Sequence, residues 1–359
     1  MSACPPIGTP KRPTSCKAKD AQELQARWLE RLAFGESRAE DRLVQLWLGV
    51  FPVSWRQVAD VRLLENQMAA IRANLQGSYS DLLQAMVQDT ALQASLNGLG
   101  NRRRRPNENL ARELLELFSL GEGNFSEGDV REAARALTGY RRAADRTVYL
   151  DPDEHDDSLK TILGRRERFD GPSLAAWLAQ QPSTARNLVQ RLWPRLVGAR
   201  PKAGAIEALA SGWRRQGLSL PWLIQALERS AQAPAFRGQR LDDPIPMMVR
   251  SLRLLGSRHP DAVQIALRHL NFMGQRPFDP PSVKGWPAND EWLNLRWLHA
   301  RVRGLQALLS DEEVWTSRQL PDALPPGLTA IPPLTLTLPA PSSRESMGLL
   351  FADPAWQFA

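Results

Sequence analysis

Apolar residues recur at helical spacing along almost the whole of this 359-residue chain, whereas the alternation typical of strands is nearly absent. The pattern predicts helices over residues 21–35, 39–51, 56–76, 79–98, 107–121, 126–139, 173–181, 183–198, 205–217, 219–230, 243–256, 260–274 and 291–310. Helices with one apolar stripe must bury it against one another. We therefore predict an all-α fold, an irregular multi-helix bundle.

Two segments interrupt the helices. Residues 140–171 are predicted to form a small β-hairpin or an irregular insertion, in which "TVYL" and "KTIL" pair as strands around an acidic loop. Residues 272–292, "FMGQRPFDPPSVKGWPANDEW", contain four prolines, which fix φ and remove backbone donors. We expect this second loop to be rigid and to position side chains.

Composition divides the chain into three parts. We predict a flexible, Pro-rich leader over residues 1–20, a single helical domain over residues 21–310, and a Pro-rich linker with a tail over residues 311–359 that packs back on the domain. The two cysteines, Cys4 and Cys16, lie in the leader and offer no disulfide framework. No stretch is apolar enough for a membrane span or a secretory signal, so the chain as given is expected to be cytoplasmic.

The stretch from Asn107 to Gly139 carries clear helix start and stop signals. Asn107 is predicted to cap a first helix and Gly121 to end it. Ser126, followed by Asp129 three positions later, predicts a capping box that opens a second helix, which Gly139 would end. The two helices are expected to pack as an αα-hairpin.

The same stretch, "NENLARELLELFSLGEGNFSEGDVREAARALTGY", resembles the signature of the uncharacterised bacterial family called domain of unknown function 1800. The loops "HDDSLKTILG" and "GQRPFDPPSVKGWP" resemble two further motifs of that family in the same order, and the resemblance extends roughly from Ala21 to the end. In the family's Phe-Trp-His-x-His-Phe motif this chain has "LWLGVF", with Leu48 and Val50 at the two histidine positions.

The resemblance carries expectations about location and partners, but it supplies no established activity. Relatives commonly begin with an additional helical segment, often behind an export signal, so export is the alternative to a cytoplasmic location if the N-terminus is truncated. Members are often encoded beside a phosphatase-like family, which makes a protein of that family a candidate partner.

The acidic loop supplies the candidate catalytic residues. His155 has a pKa near working pH, Asp156 is placed to orient it, and Lys160 supplies a positive charge or, if buried, a base. These three residue types within a short loop indicate acid–base chemistry. The alternative is an acidic surface loop with no chemical role.

The candidate binding residues come from the first signature helix and the second loop. Glu108, Arg112 and Glu113 form a charged helix face, which is either a salt-bridged structural stripe or the wall of a cleft. Oxygen ligands there would suit a divalent cation, although the sequence assigns no metal site. The second loop adds Arg276, Asp279, Lys284 and Trp286, either as a wall for an anion or as a plug of the bundle.

Two functions from different classes therefore remain open. The first is an enzyme or ligand-binding protein with a polar site built from the "NEN-x-ARE" helix and the "HD-x3-K" loop. The second is a structural or accessory protein that binds another protein and has a degenerate site. A net charge of +7 admits nucleic acid as a partner, but the carboxylates that follow the run Arg102 to Arg105 argue against it.

Overall fold

The helical pattern is confirmed in a computed structural model that describes residue 4 and residues 13–198, 200–322, 328–331, 333 and 343–358. Within those ranges the α-helices are α1 (Thr14–Phe34), α2 (Arg38–Val50), α3 (Trp55–Val58), α4 (Val61–Asn74), α5 (Tyr79–Val87), α6 (Thr90–Ser95), α7 (Asn109–Glu116), α8 (Glu127–Ala136), α9 (Gly171–Ala179), α10 (Pro182–Leu196), α11 (Ala205–Arg215), α12 (Leu220–Gln232), α13 (Pro244–Leu255), α14 (Pro260–Phe272), α15 (Leu295–Ser310), α16 (Glu312–Thr316) and α17 (Arg344–Ala352). The all-α class and the small β insertion are both as predicted.

The apolar stripes of these helices meet in one large core. Helix α1 packs against α2, α13 and α14, α5 packs against α9, and α15 packs against α14 and α17. Four buried aromatic rings, those of Trp47, Phe51, Tyr79 and Phe118, lie in contact near its centre. Among the described residues we find no helix whose length and hydropathy would let it cross a bilayer.

Two helices predicted as continuous are each broken in two. Ala59 adopts a left-handed φ of 54°, which ends α3, and the Asp60 carboxylate then accepts a hydrogen bond from the backbone N–H of Arg62 and caps α4. Asp89 does the same for α6 by accepting from Leu92 N at 2.8 Å. The apolar spacing continues across both breaks, so periodicity alone concealed these local caps.

The insertion forms two hairpins, so the predicted pairing of "TVYL" with "KTIL" is wrong. Strand β1 (Tyr140–Arg142) pairs with β2 (Val148–Leu150), and β3 (Lys160–Ile162) pairs with β4 (Arg165–Glu167), both antiparallel. The turn between β3 and β4 has positive φ at both central residues, Leu163 and Gly164, which suits a two-residue hairpin. Each strand thus pairs with its nearest neighbour in sequence.

Described residues near both ends of the chain contact the rest of the fold. Helix α1 begins at Thr14, earlier than predicted, and buried Cys16 forms a disulfide with Cys4, contrary to the expectation for the two cysteines. Their Cα atoms are 5.7 Å apart, within the range a disulfide requires. At the other end, the buried side chain of Trp356 donates to Ser251 Oγ at 3.0 Å. The Pro-rich residues 323–327 and 334–342 lie outside the described residues.

Candidate functional site

Helix α8 holds the insertion through three side chains at three-residue spacing, Asp129, Glu132 and Arg135, which we call the α8 stripe. Asp129 accepts from Leu163 N at 2.7 Å, and Glu132 accepts from Thr161 N at 3.1 Å. Arg135 donates to Asp156 at 2.7 Å and to both oxygens of Glu132 at 2.7 and 2.8 Å. The signature "DVREAAR" therefore forms the surface on which the insertion docks.

The three predicted catalytic residues lie in this docked loop, and two of them, His155 and Asp156, contact the helical hairpin. Burial alone would raise the pKa of Asp156, yet hydrogen bonds from Arg135 and Ser158 outweigh it and hold that pKa well below its usual range. His155 contacts the Thr138 carbonyl oxygen through Nδ1 at 2.9 Å, and the backbone N–H of Asp156 donates to Thr138 Oγ1 at 2.8 Å. Asp156 thus pairs with Arg135, and Thr138 is the residue that contacts the His155 ring.

Lys160 is buried, with 1% of its surface exposed, and its ammonium donates to the Ser158 carbonyl at 3.0 Å. Burial lowers the pKa of Lys160, and the nearby charge of Asp156 partly opposes that effect. A buried lysine with a lowered pKa is a chemically plausible base. Here this hydrogen bond joins Lys160 to the backbone of its own loop.

Gly139 explains how closely the acidic loop approaches the helical hairpin. Its φ is +84°, and an added Cβ would lie 2.8 Å from both Asp151 O and His155 N. Its carbonyl accepts from Asp151 N at 2.8 Å. Only glycine combines this backbone conformation with this contact.

The first signature helix shows a salt-bridged face. Helix α7 begins at Asn109, and the predicted cap, Asn107, accepts from Asn109 N through its side chain at 2.9 Å. The Arg112 guanidinium makes two 2.8 Å bonds to the carboxylate of Glu127, which begins α8, and lies 3.3 Å from Glu108. These contacts join the two helices of the predicted αα-hairpin. The capping box of Ser126 and Asp129 is confirmed.

The second loop sends its predicted residues to different parts of the fold. Arg276 donates to Gln25 Oε1 of α1 at 3.2 Å, and Asp279 forms a 2.9 Å ion pair with Arg56 of α3. Burial raises the pKa of Glu113 on α7, and the charge of Lys284 opposes that rise. Glu113 and Lys284 are therefore a pair of predicted residues that the fold brings near each other.

The two positions at which family members carry histidine lie close to the second loop. Leu48 and Val50 are buried at the end of α2, and Gly49 between them touches the loop. A Cβ on Gly285 would lie 2.7 Å from the Gly49 carbonyl oxygen. Two of the segments that resemble family motifs are thus in direct contact.

Beside this contact lies a cleft of about 720 Å³ that the sequence did not reveal. Helices α2, α12 and α13 and the end of α10 form its walls, and Trp286 of the second loop lies in its lining. Its lining contains the arginines Arg42, Arg195, Arg240 and Arg250 and the acids Glu228, Asp242 and Asp243. We call this feature the Arg–Asp cleft.

Two adjacent aspartates, Asp242 and Asp243, lie in the lining of the Arg–Asp cleft. Asp243 lies 3.7 Å from Arg195 and accepts from Trp292 Nε1 at 2.8 Å. Asp242 lies 3.2 Å from Arg240. Burial raises the pKa of Asp243, although the charge of Arg195 and the Trp292 hydrogen bond oppose the rise. A carboxyl with a raised pKa in a cleft marks a candidate functional site.

Backbone and tail contacts hold these charges in place. Arg195 donates to the Trp286 carbonyl at 2.6 Å, and Arg240 donates to the Arg195 carbonyl at 2.9 Å. The tail joins through a 2.8 Å bond from Asp242 N to Gln357 O. The site is therefore built from four separate parts of the chain.

Of the residues predicted from sequence, only Trp286 lines the Arg–Asp cleft. The remaining predicted residues make the contacts described above, within the insertion, between α7 and α8, or from the second loop to α1, α3 and α7. Within the described ranges, no group of three or more His, Cys, Asp or Glu side chains is placed to hold a metal ion. The sequence signal that could have indicated the cleft is the doublet Asp242–Asp243 directly before a proline that opens a helix. This pattern is also typical of an ordinary helix start.

The fold and the cleft together define an all-α protein with a partly buried arginine–aspartate site. The chain belongs to the family described as "Protein of unknown function (DUF1800)", which matches residues 8–355. It is also 33% identical over 113 residues to a tRNA(Ile)-lysidine synthase of Salinispora tropica, covering 30% of this chain. The chain spans 34% of that relative's length. No solved structure matches significantly.

Proposed function

We propose that this protein is a ligand-binding protein that takes an acidic small molecule into the Arg–Asp cleft. The observation that carries the proposal is the charge of the lining, which contains four arginines and three carboxyls. The cleft volume of about 720 Å³ lies within the roughly 300–1,000 Å³ typical of small-molecule sites.

Two further features indicate that the ligand carries a hydrogen-bond acceptor. Trp286 is 5% exposed and lines the cleft, and its indole N–H has no hydrogen-bond partner among the described residues. Because burial raises the pKa of Asp243, that carboxyl carries less negative charge than an exposed aspartate at the same pH. A carboxylate or phosphate would supply an acceptor for the Trp286 indole N–H.

In this proposal His155, Asp156 and Lys160 have structural roles, because their contacts with Thr138, Arg135 and the backbone of Ser158 account for them. Glu108 and Arg112 likewise join α7 to α8. The alternative of an accessory protein is favoured by one observation, namely that the signature residues form the docking surface for the insertion.

The test is calorimetric titration of the purified full chain with phenyl phosphate, a small acid with an apolar ring. We expect Arg240→Met to weaken binding about tenfold or more, since a hydrogen bond to a charged group contributes ~1.5–3 kcal/mol. Arg229→Met is the matched control, because Arg229 is an exposed arginine on α12 that does not line the cleft. Absence of binding, or equal effects of the two variants, would overturn the proposal.

A further inference from the structure

We infer that the acid bound in the Arg–Asp cleft is an amphiphile, with an oxyanion at the charged end and an unbranched alkyl chain along the apolar wall. This inference rests on the proposed function and names the class of its ligand. It follows from the distribution of apolar side chains in the cleft and not from its charges.

Three helices each present a pair of apolar side chains to the cleft. The spacings i to i+3 and i to i+4 place each pair on one helix face. The pairs are Leu43 and Leu46 on α2, Leu220 and Ile224 on α12, and Pro246 and Val249 on α13. We call these six side chains the apolar wall. Its α13 pair lies beyond the aspartate doublet, because α13 begins directly after Asp243 and advances about 1.5 Å per residue.

The charged end of the cleft sets the position of the oxyanion. Arg195 bonds to the Trp286 carbonyl, which places its guanidinium beside the backbone of a lining residue whose indole N–H has no hydrogen-bond partner among the described residues. Arg240 donates to the Arg195 carbonyl and adds a second cation there. These donors suit the oxygens of a carboxylate or a phosphate monoester equally, so the shared chemistry is an alkyl oxyanion.

Half-buried apolar side chains at the wall favour a chain over a compact polar acid. Leu43, Leu46 and Pro246 are all of intermediate exposure, and Ile224 is 8% exposed. Covering them with methylene groups removes apolar surface of both partners from water. Each buried methylene contributes ~0.8 kcal/mol, which corresponds to about a fourfold gain in affinity.

The experiment titrates the full chain with alkanoates from butanoate to dodecanoate, and in parallel with alkyl phosphates and primary alcohols of the same lengths. We expect affinity to rise about fourfold for each methylene that reaches the wall. Acids should bind at least tenfold more tightly than the matched alcohols, and the two acid series distinguish a carboxylate from a phosphate head. Ile224→Thr and Leu43→Ser should reduce the gain per methylene, whereas Leu349→Ser, an exposed leucine on α17, should not.

The outcomes separate this inference from the proposed function. Binding of phenyl phosphate and butanoate without any dependence on chain length overturns the amphiphile and leaves the acid-binding site standing. Equal binding of acids and alcohols, unaffected by Arg240→Met, overturns the proposed function itself. A chain-length dependence that Ile224→Thr and Leu43→Ser leave unchanged places the alkyl chain elsewhere and also overturns the inference.

Discussion

Replacing Arg135 with methionine should release the insertion from helix α8 and cost about 2–3 kcal/mol of unfolding free energy. The variant loses the 2.7 Å bond to Asp156, both bonds to Glu132 and the contact with Ser158 Oγ. The Arg135 and Glu132 side chains are each 28% exposed, so solvent screening keeps the loss at the lower end of the range for buried ion pairs. Methionine keeps the helix propensity and the apolar stem.

The assay is urea unfolding followed by circular dichroism, combined with hydrogen exchange at the amides of Thr161 and Leu163. Both amides bond to carboxylates of the α8 stripe, so they should lose protection in the variant. The control is Arg131→Met, since Arg131 lies on the same helix but is exposed. If the two variants unfold within about 0.5 kcal/mol of each other, the stripe is not what holds the insertion.

The loss should also depend on pH in a defined direction. The pKa of Asp156 is lowered in the folded protein, so its contribution is present above the unfolded pKa of ~3.9 and disappears as pH falls through the folded value. The stability difference between wild type and Arg135→Met should therefore shrink in acid. A difference that grows below pH 4 would refute the ion-pair explanation.

Three further predictions concern other positions. Burial raises the pKa of Asp89 to about 7, so the unfolding free energy of the wild type should fall by up to ~1.4 kcal/mol per unit as pH rises from about 4 to 7. Asp89→Asn should flatten that slope in urea unfolding measured at several pH values, and an unchanged slope would contradict the burial argument. Gly139→Ala should lower the unfolding free energy by roughly 2 kcal/mol or more in urea. Gly123 also has a positive φ, +78°, but no atom lies near its added Cβ, so Gly123→Ala should cost less. Equal losses would show that the contact with His155 is unimportant. Lys284→Met should raise the pKa of Glu113 further in an NMR titration, because the charge of Lys284 opposes the rise in the wild type. A lower pKa in the variant would show that the two side chains do not interact in this way.

Much of the fold was accessible from the sequence because it is encoded locally. The helices follow from apolar spacing, and the capping box at Ser126 and Asp129 follows from residue types three positions apart. The strand pairing could not be predicted in this way, because the alternation of apolar and polar residues does not distinguish one strand partner from another. The short turn at Leu163 and Gly164 decides that β3 pairs with β4. Local capping signals at Asp60 and Asp89 were present but were masked by continuous periodicity.

The Arg–Asp cleft escaped prediction for a different physical reason. Arg195 ends α10, Asp243 precedes α13, and Trp286 lies in the second loop, so the site exists only after distant segments pack. In the sequence, Arg195 and Asp243 each look like a solvated charge near a helix end, and Trp286 looks like an apolar loop residue. The acidic loop attracted the chemical interpretation because its titratable groups are adjacent in sequence, whereas their partners lie on α8 and at Thr138.

The way in which α8 holds the insertion has a consequence for how such chains diverge. Asp129 and Glu132 bind the backbone N–H groups of Leu163 and Thr161, so this attachment does not depend on which side chains occupy those two positions. Substitutions along the β3–β4 hairpin can therefore accumulate while helix α8 retains its acidic and basic residues at three-residue intervals. A search for remote homologues should weight the spacing of Asp129, Glu132 and Arg135 above any similarity in the hairpin itself.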